Sequence, residues 1–422
     1  MDFLFALPLL LLAWWALCLI LLGLWKRTLF QQTWREPYFA DIPILFESDD
    51  WGPGGLFHIE RLNDLLSTLK QQPDSQGRSA VLTANMVLAV PDIEKSQGDN
   101  KHYHRLLLDQ GFPELSQAFQ SAAKDGSFVP QLHGMEHYSG EALVRLQSLA
   151  DPRTTHAFSS PGWWDWESLD SPLQGHYVDG GALPTQAISR TQASNIIKLA
   201  TAHFERLFGV PSYSTVAPCY LWNSEIEDIW FEHGIQSIQT AGYRCTGRDS
   251  TGHYHQDKPL IRPGEHNPKG QTYLVRNVMF EPTDGNTNAD TAWAETRAAI
   301  AQALPVSIST HRYNFTRSEA EHRDSLAELD VLLQKLNTLP HTRFLSSPEL
   351  AQAIEAPHSA LNNPFSDEQS APLKRLKGLS KVAAFLSRLQ HRHAKLGKLS
   401  ILTGLALPAR LIQTLAGKST VP

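Results

Sequence analysis

Two short stretches hold the residues best suited to do chemistry. Ile44-Leu45-Phe46-Glu47-Ser48-Asp49-Asp50-Trp51-Gly52 is an apolar run that ends in two adjacent carboxylates and a glycine turn. Successive side chains of a strand point different ways, so one carboxylate is able to bind a cation while its neighbour stays free as a base. His133-Gly134-Met135-Glu136-His137 sets two imidazoles at i and i+4, a spacing that places them one helical turn apart. Asp50, His133 and His137 together offer one carboxylate and two imidazoles, with positions left for water and substrate, as a catalytic metal centre requires. Alone, an Asp pair before Gly also fits a turn or a helix cap. An isolated H-x3-H pair also fits two surface histidines. Their joint occurrence at the ends of two expected strands favours the metal.

The elements that must position these groups alternate regularly from Asp41 onward. Strands are expected at Ile42 to Ser48, Ala80 to Leu88, Phe128 to His133, Ser212 to Ala217, Ile235 to Thr240, Thr272 to Met279, Val306 to Thr310 and near Arg343 to Leu345. Amphipathic helices are expected between them, among them Gly55 to Lys70, Pro113 to Lys124, Thr185 to Phe208 and Arg317 to Leu336. Such alternation implies a parallel sheet, and closure into a barrel of about seven to eight strands is favoured over an open doubly wound sheet. No glycine fingerprint follows the first strand, which weighs against a nucleotide-binding fold. Asp151 to Pro184, with Trp163, Trp164 and Trp166, reads as one long loop, and loops of that length are usually functional.

Four motifs in order resemble those of the polysaccharide deacetylase (NodB-homology, carbohydrate esterase family 4) superfamily. They are Asp49-Asp50, His133-x3-His137, Val216-Ala217-Pro218-Cys219-Tyr220-Leu221-Trp222 and Ser309-Thr310-His311. The resemblance covers roughly Asp41 to Leu350 and implies a distorted β/α barrel. It further implies that Asp49 is the catalytic base, that Asp50, His133 and His137 bind a divalent metal, often zinc, and that His311 is the general acid. Pro218, Tyr220 and Trp222 of the third motif, with Trp51 and Arg312 beside the first and last, are the expected substrate contacts. Apolar sugar faces stack on aromatic rings, so Trp163, Trp164, Trp166, Tyr220 and Trp222 are candidate platforms, although each also fits core packing.

The departures are specific. Trp51 stands between the Asp pair and Gly52, which would reshape the substrate mouth. The family's third motif carries an arginine that orients the base, whereas Thr215-Val216-Ala217-Pro218 has none. Arg276 or Arg312 would have to substitute, or the base would be left untuned. Arg276-Asn277-Val278-Met279-Phe280-Glu281-Pro282 lies where the fourth motif is expected.

Outside this region the chain has two further parts, so that it divides into 1–36, 37–356 and 357–422. Phe3 to Trp25 carries no charge and is long enough to cross a bilayer. Asp2 precedes it and Lys26, Arg27 and Arg35 follow, the pattern of a retained anchor. The positive-inside rule then puts the barrel on the cytoplasmic face, a periplasmic or extracellular barrel being the alternative. The chain's formal charge is −6, but its last 54 residues hold ten Lys and Arg and no Asp or Glu. An acidic body with a basic tail argues against nucleic-acid binding and for a tail with an anionic partner. Leu376, Leu379, Val382, Ala383, Leu386 and Leu389 recur at helical spacing among the basic residues, the pattern of a helix lying on an anionic membrane. A helix packed on the acidic barrel is the competing reading. Three scattered cysteines exclude a disulfide framework.

The reading that results is a membrane-anchored, metal-dependent deacetylase acting on a polysaccharide or glycolipid precursor. A catalytically silent barrel that binds glycan or scaffolds a synthesis complex is the alternative. A glycosidase would need two carboxylates across a cleft, whereas Asp49 and Asp50 are neighbours on one strand.

Overall fold

The structure, a computed structural model, describes residues 2–37, 39, 41–98, 102–154, 166–355, 377–392 and 394–415. Its centre is a parallel sheet of β1 (Ile42–Trp51), β2 (Leu82–Val87), β3 (Phe128–Gly134), β4 (Ser214–Val216), β5 (Ser237–Thr240), β6 (Thr272–Val275), β7 (Val278–Met279) and β8 (Val306–His311). The strand order is β6-β5-β4-β3-β2-β1-β8-β7, and β9 (Thr342–Phe344) pairs with the start of β1. The central strands β1 and β2 are buried along their whole length, because helices cover the outside and side chains fill the inside.

The two edges of this sheet are consecutive in the chain. Only Arg276 and Asn277 separate β6 from β7, so the edges are two halves of one passage of backbone. The first half pairs with β5, as Leu274 with Gln239, and the second with β8, as Val278 with Ile308. Between them the Arg276 amide donates to the Thr240 carbonyl at 2.9 Å and the Asn277 amide to the Ser307 carbonyl at 3.1 Å. The barrel is therefore closed by a seam strand that changes partner halfway. Closure aims the side chain at the seam, Arg276, across β8 at the end of β1.

Helices form the outer layer for the reasons their sequences give. In α3 (His58–Leu69), Leu62, Leu65, Leu66 and Leu69 repeat at i, i+3, i+4 and i+7 and are all buried on the sheet. The longer α4 (Arg190–Phe208) starts where the Ser189 hydroxyl caps the Gln192 amide and stops at Gly209, whose φ of 74° suits glycine. Of the long loop, Trp163 and Trp164 lie outside the described residues.

Two further groups of helices pack together beside the barrel. One is α1 (Asp2–Trp25) followed by α2 (Arg27–Arg35), the other α5 (Lys377–Arg392), α6 (Ala394–Leu402) and α7 (Ala406–Leu415). Within α1, Leu7–Trp25 is long and apolar enough to cross a membrane. The apolar stripe of α5 was expected to meet lipid, but Ala383, Phe385, Leu386 and Leu389 are buried in one cluster with Cys18 and Leu22 of α1 and Leu29 of α2. Two of its cations are also turned inward. Lys381 donates to the Thr33 and Glu36 carbonyls at the end of α2. Arg388 pairs with Glu36 at 2.5 Å and donates twice to the Gln302 carbonyl. Leu376 and the start of the basic stretch lie outside the described residues.

Candidate metal centre and its catalytic cluster

The end of β1 departs from regular alternation. Asp50 has a φ of 69°, a left-handed conformation that Asp tolerates better than most residues, and the register with β2 slips between Ser48 and Trp51. This bulge lets both carboxylates reach the interior end of the barrel and turns Trp51 away from it. Trp51 has no exposed surface. Its ring lies edge-on to Phe119 and Phe128, and its Nε1 donates to Ser48 Oγ at 2.9 Å. The inserted tryptophan is a core residue, so it does not line a substrate mouth.

His133 and His137 are brought together by a bend and not by a helix. His133 is on the last turn of the pleat in β3, Gly134 follows, and the chain folds back to His137. A Cβ at Gly134 would stand 2.8 Å from the Glu136 carbonyl oxygen, so the bend needs glycine. Glu136 is itself buried and held by Arg105 Nε at 2.5 Å. The two imidazole Nε2 atoms lie 3.5 and 3.3 Å from Asp50 Oδ1, and one donor atom from each of the three residues lies within 4.8 Å of the other two. His133 Nδ1 sits 2.9 Å from the Val216 carbonyl, which fixes the tautomer that leaves Nε2 as a donor pair for a cation. Trp166 Nε1 donates to Asp50 Oδ1 at 3.2 Å and its ring stacks on His137. Burial pushes the His137 imidazole down to about 4 against the pull of Asp50, so it is neutral at physiological pH. A buried carboxylate facing two buried imidazoles, one of them held through Nδ1 by a backbone carbonyl, is a donor set that fits a divalent metal such as zinc.

Asp49 is gripped by the seam strand, which only β8 separates from β1, and by the adjacent β2. Arg276 Nη1 and Nη2 bind its two oxygens at 2.6 and 2.7 Å, and Asn85 Nδ2 adds a third bond at 2.7 Å. Glu47, two residues earlier on the same face of β1, sits 3.3 Å from Arg276 Nε and accepts from Ser307 Oγ at 2.6 Å. Gln239 completes the ring, accepting from Arg276 and Asn85 and donating back to Asn85 and Ser214. Burial disfavours the Asp49 anion, but the Arg276 guanidinium outweighs it and holds the carboxyl well below the usual range. The arginine missing from 215–218 is thus supplied by the seam strand, by one of the two substitutes the sequence offered.

The other candidate, Arg312, does different work. It is buried, donates to the Pro53 carbonyl at 2.8 Å, approaches Glu167 at 3.4 Å and lies 4.6 Å over the Trp166 ring. Its guanidinium is thus engaged with Pro53, Glu167 and Trp166, whose indole reaches Asp50.

His311 ends β8 with its Nε2 4.0 Å from Asp49 Oδ2 and its Nδ1 2.6 Å from Glu281 Oε1. Burial lowers its affinity for a proton, but Glu281, then Asp49 and Asp50, raise it to about 10. It is therefore an imidazolium at neutral pH. Glu281, in the stretch where a fourth motif was expected, was not assigned a role by the sequence. Asn85 and Gln239 were missed altogether, since nothing in their neighbourhoods marks them.

Among the aromatic platform candidates, Trp166 and Trp222 are fully buried, and Trp222 Nε1 donates to Glu227. Neither presents a ring to a ligand. Pro218 is buried as well, whereas Tyr220 is half-buried with its hydroxyl 3.1 Å from Arg276 Nη1.

No family model matches the sequence, and no curated protein matches it. Among solved structures, the chain is similar to a peptidoglycan deacetylase from Bacillus subtilis, with 12% identity, TM-score 0.35 and coverage of 81% of this chain and 96% of that one. A family 4 carbohydrate esterase from Streptomyces lividans, in complex with acetate, gives 12% identity and TM-score 0.34 over 74% and 95%. A 4-alpha-glucanotransferase from Thermococcus litoralis gives 9% identity and TM-score 0.39 over 82% and 48%. A fold does not by itself fix a reaction, so function is argued from the site.

Proposed function

We propose that this chain is a membrane-anchored, metal-dependent deacetylase that hydrolyses N-acetyl or O-acetyl groups on a polysaccharide or glycolipid precursor. The observation that carries this is the convergence of an Asp-His-His donor set, a separately held carboxylate and a protonated histidine at one end of the barrel. A divalent metal held by Asp50, His133 and His137 would polarise the acetyl carbonyl and acidify a water. Asp49, kept ionised by Arg276, accepts the proton of the attacking water. His311, kept protonated by Glu281, gives a proton to the departing amine or alcohol on the other side. The two groups thus have opposite protonation states at one pH, as an acid and base pair needs.

The silent-barrel alternative drew its support from the missing arginine, and Arg276 removes that support. Residues 1–36 serve as the anchor in this reading, with the barrel on the cytoplasmic side as the three following basic residues favour. The carbohydrate partner is held by groups around Tyr220. Acetate release by the full chain in detergent, from N-acetylated and O-acetylated oligosaccharides with and without chelator, is the test. Protein that carries metal yet releases no acetate from any of them would sink the proposal.

A further inference from the structure

Among the described residues, the most exposed large apolar side chain, Leu402, lies in the last two helices. Leu402 is 83% and Leu407 68% exposed, and Ile401 and Leu411 are also in the open. These four flank the turn that joins α6 to α7. The turn does not face away from the rest of the molecule. Trp14 Nε1 donates to the Thr403 carbonyl at 3.3 Å, and a Cβ at Gly404, whose φ is 75°, would stand 3.3 Å from Trp15 Nε1. Below the turn, Leu405 and Ala409 pack in the same cluster as Cys18 and Leu22, with Trp15 and Leu19 partly buried against it. Trp15, Cys18, Leu19 and Leu22 repeat at i, i+3, i+4 and i+7, so the tail covers one face of the C-terminal half of α1.

The height of this contact follows from helix geometry. Trp14 is eleven residues before Trp25, so at 1.5 Å per residue the turn meets α1 roughly 16 Å from the end nearest the barrel. A bilayer's hydrocarbon core is about 30 Å thick, so a point at that height is near its middle. Such a depth requires a turn without unsatisfied backbone groups. The Gly404 amide donates to Ile401, the Leu407 amide to Gly404 and the Ala409 amide to Leu405. Thr403 Oγ1 donates to the Ser400 carbonyl, and Trp14 takes the Thr403 carbonyl. The exposed lysines, Lys395 near the start and Lys398 at the middle of α6, lie roughly 10 and 6 Å below Leu402 at 1.5 Å per residue, and their stems reach back toward headgroups.

We propose that Ala394–Leu415 is a re-entrant hairpin that enters the acyl region of the leaflet nearest the barrel and lies along α1 to about mid-depth. This rests on reading α1 as a membrane span, and it replaces adsorption of a basic helix on the lipid surface with insertion of an apolar tip. The ion pair of Arg388 with Glu36 and its bonds to Gln302 then tie the hairpin's base to the barrel. Lipid is the occupant that fits, because the exposed tip is continuous with the exposed apolar surface of α1.

The test uses the full chain in neutral phosphatidylcholine vesicles at high salt, labelled with a lipid-phase carbene reagent and mapped by peptide mass spectrometry. Ile401, Leu402, Leu407 and Leu411 should label to the same extent as the leucines of α1, and several-fold above Leu149 and Val210, which are exposed on the barrel. L402D with L407D should lower the hairpin's label several-fold and leave that of α1 unchanged. Strong label on α1 with the hairpin at the barrel's level would overturn the insertion while keeping the span. Label on the hairpin only when anionic lipid is added would show surface adsorption and overturn it as well. Absence of label on α1 too would overturn the span and the hairpin together.

Discussion

The barrel's strand ends and the helical collar beside the barrel both bury charge, but they do it differently. At the strand ends, Arg276 lies between Asp49 and Glu47 with no exposed side-chain surface, and every oxygen of Asp49 is bonded. In the collar, Lys381 and Arg388 mostly serve backbone carbonyls at the ends of other helices. Removing Arg276 from the first set leaves two buried carboxylates without their cation, whereas removing Arg388 from the second leaves one, Glu36. Charge at the strand ends is thus spent on holding reactive groups in fixed protonation states. In the collar it holds helices in place.

The largest expected effect tests the reactive group itself. Asp49→Asn should lower acetate release about 10²–10⁴-fold, the usual worth of a positioned base, with metal content unchanged by elemental analysis. Loss of metal in that variant would mean that the roles of Asp49 and Asp50 are exchanged. Arg276→Met should come next, destabilising the barrel by roughly 3–5 kcal/mol in denaturant titrations, because Asp49 and Glu47 would remain buried and unpaired. A loss no larger than that of an exposed pair would show that the seam arginine does not carry the cluster. His133→Ala with His137→Ala should remove the roughly one divalent ion expected per chain while the fold persists. Retained metal would place the centre elsewhere.

A smaller effect is expected at Glu281. His311 is raised from 6.5 to about 10, so the stabilisation from its charged form is complete below about pH 6.5 and is lost as pH rises toward about 10. As the proton donor, His311 should give the pH–rate profile an alkaline limb near that upper value. Glu281→Gln should move the limb to lower pH and leave metal content alone, and an unmoved limb would remove Glu281 from the site. The smallest effect belongs to the collar. Arg388→Met should cost about 1–3 kcal/mol locally, seen as faster hydrogen exchange over 377–415, with the barrel's unfolding midpoint unchanged. A drop in that midpoint would show that collar and barrel unfold as one unit.

Much of the molecule was legible in the sequence because it is encoded at short range. Alternation of apolar runs gave the strands, i, i+3, i+4 spacing gave the helices, and a long uncharged run gave α1. Asp49-Asp50, His133, His137 and His311 stood out because reactive residue types sat at expected strand ends. The i+4 spacing of the histidines nevertheless suggested a helix where the structure has a glycine bend, since a spacing alone does not distinguish the two. Trp51, Trp222 and Arg312 looked suited to substrate because aromatic and guanidinium groups serve both sites and cores. Burial, which is a property of the whole fold, decided that they are structural.

The amino-acid sequence by itself determined the parallel α/β architecture, the order of the reactive residues and the existence of an apolar helix with a basic, amphipathic tail. Only the tertiary structure decided which cation orients Asp49. Arg276 is 227 positions away, and the pair exists because the seam strand changes partner and so closes the barrel at that residue. Tertiary structure also decided that Glu281 meets His311 and that the apolar stripe of α5 is covered by α1 and α2. The physical reason is the same in each case. Periodicity reports which face of an element is apolar, but the partner of that face, or of a buried charge, is chosen by how distant elements close on one another.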